Sequence, residues 1–146
     1  MAKQINIFIE NRPGRLESIT GILSENNINI RAFTIQDRGD FGLIKLIVDK
    51  PQQAHLILAD RGLACALKDV LAISIPDKPG NLHRLTKILS QQNVNIVDTY
   101  GFVLEPGSKG VCCLEIQTDD DRFSRLQDLL AEEGFEILED QQLYEL

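Results

Sequence analysis

The chain has 146 residues, of which 43% are hydrophobic and 25% charged, a composition that suits one ordinary globular domain or two small ones. No apolar run approaches the roughly 18 residues that a membrane span needs, and Met1-Ala2-Lys3-Gln4 leads into an alternating strand pattern rather than a signal peptide; the expected location is the cytoplasm, with no membrane partner. A formal charge of −7 without a basic stripe cannot neutralise phosphates, which sets nucleic acid aside as a partner.

In chain order, Ile5, Ile7 and Ile9 alternate and predict a strand with one buried face. A turn at Asn11-Arg12-Pro13-Gly14 ends it. Leu16, Ile19, Ile22 and Leu23 then recur at helical spacing, so all four fall on one helix face. Strand-like composition resumes over 28–36, turns at Asp37-Arg38-Gly39-Asp40 and continues over 43–48. A second helix is expected over 52–60, with Gly62 where its C-terminus wants a positive φ, and a short fourth strand over 63–67.

The same string then begins again. Leu71, Ile73 and Ile75 alternate, Asp77-Lys78-Pro79-Gly80 forms the turn, and Leu82, Leu85, Ile88 and Leu89 mark the helix face. Strands over 94–103 and 111–116 flank a longer turn, Glu105-Pro106-Gly107-Ser108-Lys109-Gly110. A helix over 120–132, Gly134 and a strand over 135–138 complete the copy. Laying 5–30 over 71–96 gives about a dozen identities in roughly thirty positions without a gap, including Ile22-Leu23-Ser24 on Ile88-Leu89-Ser90 and Asn27-Ile28-Asn29-Ile30 on Asn93-Val94-Asn95-Ile96; the chain is an internal duplication. The order βαββαβ, twice, predicts an α+β fold of two ferredoxin-like modules, 1–70 and 71–146, each an antiparallel sheet with both helices on one face. Asp69-Val70 leaves almost no linker between them.

The repeated turn suggests a site. A helix N-terminus presents unpaired N–H groups and a partial positive charge, which suits a carboxylate. Proline is tolerated in a first turn, and glycine lets a ligand approach the backbone. An Asn or Asp beside it can accept a hydrogen bond from an ammonium group. Carboxylate plus ammonium describes an amino acid. The competing reading has Asn11 and Asp77 merely capping their own helices. Asn29 and Asn95 are poor strand residues inside apolar strings, placed either for a hydrogen bond or for a helix-to-strand turn.

At Ile7-Phe8-Ile9-Glu10-Asn11-Arg12-Pro13-Gly14-Arg15-Leu16 with Ile28-Asn29-Ile30, and again at Asp77-Lys78-Pro79-Gly80-Asn81-Leu82 with Val94-Asn95-Ile96, the chain resembles the ACT domain of allosterically controlled amino-acid enzymes. The turn is especially similar to that of the serine-sensing domain of phosphoglycerate dehydrogenase. The resemblance implies an amino acid bound between modules. Asn11, Arg12, Pro13, Gly14, Arg15 and Leu16 would form one site with Asn95; Asp77, Lys78, Pro79, Gly80, Asn81 and Leu82 would form the other with Asn29. Those serine-sensing relatives carry histidine where this chain has Ile9 and Ile75, so serine is not carried over as the ligand. The anionic Asp77 against the neutral Asn11 predicts unequal affinities, with the second turn holding an amine more strongly.

Catalysis, cofactors and metal sites are not expected. Cys65, Cys112 and Cys113 form no metal-ligand spacing or disulfide framework, and adjacent strand cysteines point to opposite faces, Cys112 to the core and Cys113 away. His55 and His83 stand alone, and the acidic runs Asp119-Asp120-Asp121 and Glu132-Glu133 read as solvated helix ends. Alternation places Phe8, Leu43, Ile47, Val111 and Cys113 on the sheet face away from the helices, an apolar set that predicts a homodimer or larger homo-oligomer. The expected function is a stand-alone amino-acid-binding regulator. The rival is a regulatory subunit of a biosynthetic enzyme, such as the acetolactate synthase small subunit of the same family.

Overall fold

The computed structural model describes all of residues 1–146. Its elements run β1 (Ala2–Ile9), α1 (Arg15–Glu25), β2 (Ile30–Asp37), β3 (Gly42–Val48), α2 (Pro51–Asp60), β4 (Ala64–Pro76), α3 (Asn81–Gln91), β5 (Asn95–Glu105), β6 (Lys109–Gln117), α4 (Asp120–Glu132), β7 (Glu136–Ile137) and α5 (Asp140–Tyr144). The fold is α+β with antiparallel pairing. No helix is long and apolar enough to cross a membrane.

Two compact units divide the chain: Lys3–Asp69 with Asp140–Leu146, and Val70–Glu139 with Met1–Ala2. In the first, β3 pairs with β1 on one side and β2 on the other. Ile5, Ile7 and Ile9 meet Ile19, Ile22 and Leu23 of α1 and Ala54 and Leu58 of α2 in one core, with Cys65 and Leu67 of β4 packed against it. In the second, β4 pairs with β6 and β7, and β6 with β5. Its core joins Leu71, Ile73 and Ile75 to Leu85, Ile88 and Leu89 of α3 and Leu126 and Leu130 of α4. The helical spacing of three and four therefore buries the expected face in both units. Leu82 departs from it, remaining 57% exposed at the mouth of α3.

Three features differ from the sequence reading. The boundary between units falls within one 13-residue strand, β4, because the fourth strand of the first copy runs directly into the first strand of the second. The C-terminal segment forms a short helix, α5, in the unit of the first copy. Leu143 is its buried residue, and the Lys3 N–H donates to the Tyr144 hydroxyl at 2.8 Å. One apolar anchor in five residues gives no readable period. Finally, the expected apolar patch is not open: Leu43, Ile47, Val111 and Cys113 are buried, and Phe8 alone of the five is exposed, beside Phe41 with ring centroids 6.1 Å apart. Alternation assigns a side chain to a face but says nothing of what covers that face. An association surface there is corrected accordingly.

The first helix of each unit ends alike. Asn27 and Asn93 adopt left-handed φ values of 54° and 53°. Asn27 N–H donates to Ser24 O and Ile28 N–H to Leu23 O, at 3.1 and 3.0 Å, and Asn93 and Val94 repeat the pattern. This is a Schellman ending, with asparagine where glycine is usual and the buried Ile28 or Val94 next. Alanine lacks asparagine's tolerance of that conformation, which costs other L-residues roughly 1–2 kcal/mol. Asn27→Ala is expected to lower unfolding free energy by about 1 kcal/mol in urea titrations, and Asn27→Gly to leave it nearly unchanged.

Candidate functional site

Both strand-to-helix connections are type II turns. Pro13 and Pro79 occupy the second position, where their fixed φ is preset, and Gly14 and Gly80 the third, with φ of 88° and 93°. Each turn closes by a backbone bond, Arg15 N–H to Arg12 O at 3.2 Å and Asn81 N–H to Lys78 O at 3.3 Å. Proline thus stands ahead of the helix rather than in its first turn. Gly14 and Gly80 are the N-cap residues, and no side chain caps either helix. Asn11 and Asp77 lie three positions earlier, so the capping alternative fails. Beyond the Arg15 and Asn81 N–H groups that close the turns, the helix starts are unobstructed at the glycines, where a built Cβ would meet nothing within 4 Å.

The two turns differ in charge. Arg12 and Arg15 both reach Glu10, at 2.5 and 3.6 Å, and α1 carries Glu17 in its first turn. The second copy has Pro76 in place of Glu10, no acid in the first turn of α3, and no acidic partner bridged to Lys78. Acids near a helix N-terminus offset its partial positive charge; in the second copy the acid stands ahead of the turn, at Asp77, rather than within the helix. Asp77 is not idle: its Oδ2 accepts the Gly107 N–H at 2.7 Å. A carboxylate retains further acceptor capacity after one such bond. Asn81 is tied at both ends of its amide, donating to Pro76 O and accepting from Arg84, which also donates to Glu133 O at 2.8 Å and lies 4.9 Å from the Phe135 ring centroid.

In the second unit the turn opens on a cavity of about 410 Å³. Ile75, Cys112 and Gly110 lie along it from β4 and β6, Thr99, Gly101 and Val103 from β5, and Leu82 and Asp77 from the turn side. Register separates the copies here. Thr99 pairs with Leu114 and Gly101 with Cys112; in the first unit the same places hold Phe33 against Leu46 and Ile35 against Ile44. The second copy is open where the first carries two large side chains.

A family model describing an ACT domain pair matches residues 1–146. The chain belongs to this family. A structure of protein BT0572 from Bacteroides thetaiotaomicron is similar to this ACT pair at 32% identity and TM-score 0.88, over 99% of this chain and 96% of that one. The regulatory subunits of aspartate kinase from Thermus thermophilus and Thermus flavus share the fold at 14% identity, with TM-scores of 0.65 and 0.60; they cover 90% of this chain and 92% and 90% of their own. No curated protein matches.

The asparagines after the first helices of the ACT pair lie apart from the turns of their own units. Asn29 lines a separate cleft of about 500 Å³ with Thr20, Ser24 and Lys50, and its N–H donates to Asp49. Asn95 lines one of about 360 Å³ with Thr86 and Ser90, donating through its amide to Gln117 at 3.1 Å. Sequence reasoning did not single out Thr99, Gly101 and Val103 of β5, because an edge strand at the mouth of a groove shows no period that distinguishes it from any other strand.

The thiols split as alternation requires, Cys112 in the core and Cys113 on the opposite face. Burial pushes the Cys113 thiol up to about 12, partly offset by its hydrogen bond with Tyr100. Burial raises Cys112 and Cys65 as well. Because a buried thiolate is disfavoured, Cys113 contributes stability that is fully present below the ordinary value of 9.0 and lost as pH climbs toward about 12. With a thiol reagent at neutral pH, the half-buried Cys65 should react first, and Cys112 and Cys113 only as fast as the chain unfolds. A fast phase that survives Cys65→Ser would contradict this.

Proposed function

We propose that the chain is a non-catalytic regulator of two ferredoxin-like ACT modules, 1–70 and 71–146, that binds a free amino acid at the interface between ACT modules. The turn of one module supplies the helix amides for the carboxylate and Asn11 or Asp77 for the ammonium group. The asparagine of another module, Asn29 or Asn95, completes the site. The observation that carries this reading is the pair of helix starts left uncapped by any side chain beside an acceptor three residues back. Membership of the ACT pair family supports it.

Association between chains accords with the same reading. The edge strands β2 and β5 each pair with one neighbour and present Phe33, Ile35, Val97 and Val103, all exposed. Unpaired edges with apolar side chains are poor surfaces to leave in water. A homodimer or larger species is expected by light scattering at micromolar concentration. A second reading, a subunit that regulates a biosynthetic enzyme, draws on the aspartate kinase regulatory subunits, which have the same fold over most of their length. Recovery of a stoichiometric enzyme partner on a tagged chain from its own cell extract would favour it over a stand-alone sensor.

A thermal-shift screen of the twenty amino acids tests the main proposal. Ligand at 100 times its dissociation constant should stabilise the fold by about 2.7 kcal/mol. Asp77→Ala should abolish the larger part of that response. A flat screen across all twenty would leave a folded pair without a sensing role.

A further inference from the structure

We propose that the groove of the second unit is the side-chain pocket of the site and selects amino acids with aliphatic side chains, which rests on the amino-acid reading above. Three observations converge. The cavity is lined by Ile75, Leu82, Val103 and Cys112 around the bare backbone of Gly101. The Thr99 hydroxyl that lines it already donates, to Cys113 O at 3.0 Å. The polar groups suited to an amino acid's charged end, Asp77 and Lys78, lie at the turn side of the same cavity. A zwitterion held at that turn would lay its side chain past Leu82 and over Gly101, and the 57% exposure of Leu82 leaves apolar surface to be covered.

Away from Asp77 and Lys78 the lining holds no counter-charge for a charged side chain to exchange for its water, which makes burial of such a group unfavourable. An aliphatic side chain gains about fourfold in affinity for each methylene it buries, from about 0.8 kcal/mol per group. The first unit cannot take the same ligand in the same way, because Phe33 and Ile35 stand at the register positions of Thr99 and Gly101. The site is therefore expected once per chain.

Isothermal titration of the full chain with leucine, isoleucine, valine, methionine, alanine, glutamate and lysine tests the assignment. The expected result is one site per chain for the four larger aliphatic ligands, alanine at least about tenfold weaker, and no heat from glutamate or lysine. Thr99→Phe and Gly101→Ile install the first unit's residues and should each remove leucine binding. A Cβ at Gly101 would meet Val111 O at 3.3 Å, so Thr99→Phe, at an exposed position, keeps the test sound if the other variant folds poorly; unchanged circular dichroism qualifies either. Silence from every amino acid would overturn this proposal and the sensing reading together. Binding of glutamate or lysine in preference to the aliphatic set would overturn the pocket assignment and leave the sensing reading standing. Full leucine binding by folded Thr99→Phe would place the side chain elsewhere, and a changed sedimentation mass in that variant would give the groove to a second copy of the chain.

Discussion

A left-handed glycine at the mouth of each leading helix governs the rest of the candidate site. A helix N-terminus ordinarily satisfies its free amides with a Ser, Thr, Asp or Asn at the N-cap, whose own backbone is extended. Here the chain must reverse sharply from a strand, and the type II turn that does so requires a φ near 90° at the N-cap, 88° at Gly14 and 93° at Gly80. Only glycine takes that conformation without cost, and glycine has no side chain to spend on the amides. The constraint that bends the backbone is thus the same one that leaves the donors open.

Given two identical turns, the copies differ in everything that surrounds them. Glu10 and Glu17 hold negative charge near the start of α1, while α3 begins beside Lys78 with no acid in its first turn. Edge strand β2 carries Phe33 and Ile35, and β5 carries Thr99 and Gly101 at the corresponding registers. Electrostatics and shape vary independently along a sequence, yet both set the second unit apart from the first.

The alternation of Ile5, Ile7 and Ile9 and the spacing of Leu85, Ile88 and Leu89 made the strands, helices and both cores legible, because burial of one face imposes a period that composition records. The division of Cys112 from Cys113 followed from the same rule. The repeated Pro-Gly marked the turns. What alternation could not carry was coverage, and so Ile47 and Val111 were expected in the open but are buried. Asn27 and Asn93 repeat in sequence as plainly as Asn29 and Asn95, but a residue's backbone handedness at a helix end leaves no trace beyond its identity. The groove was illegible for a related reason: β5 reads like any other strand until pairing shows that Gly101 stands where the other copy has isoleucine. The tie from Asp77 to Gly107 spans thirty residues and the one turn in which the copies differ in length, so no local pattern announces it.

That tie bears on how firmly a ligand would be held. Ordering a side chain or loop on binding costs roughly 0.5–1.5 kcal/mol for each immobilised rotamer-rich group. Asp77 is already fixed by the Gly107 amide, and Asn81 by Pro76 and Arg84. Asn11, by contrast, is exposed, with its Cβ 3.2 Å from the point where a Cβ added to Gly42 would stand. A pair of such fixed groups removes about 1–3 kcal/mol of ordering cost, comparable to the difference between a neutral and a charge-assisted hydrogen bond. Preorganisation therefore weighs as much as the charge of Asp77 in setting the two turns apart. Under the proposed function Asp77 would have two duties at once, since the carboxylate offered to an ammonium group is also the one that accepts the Gly107 N–H of the β5–β6 turn.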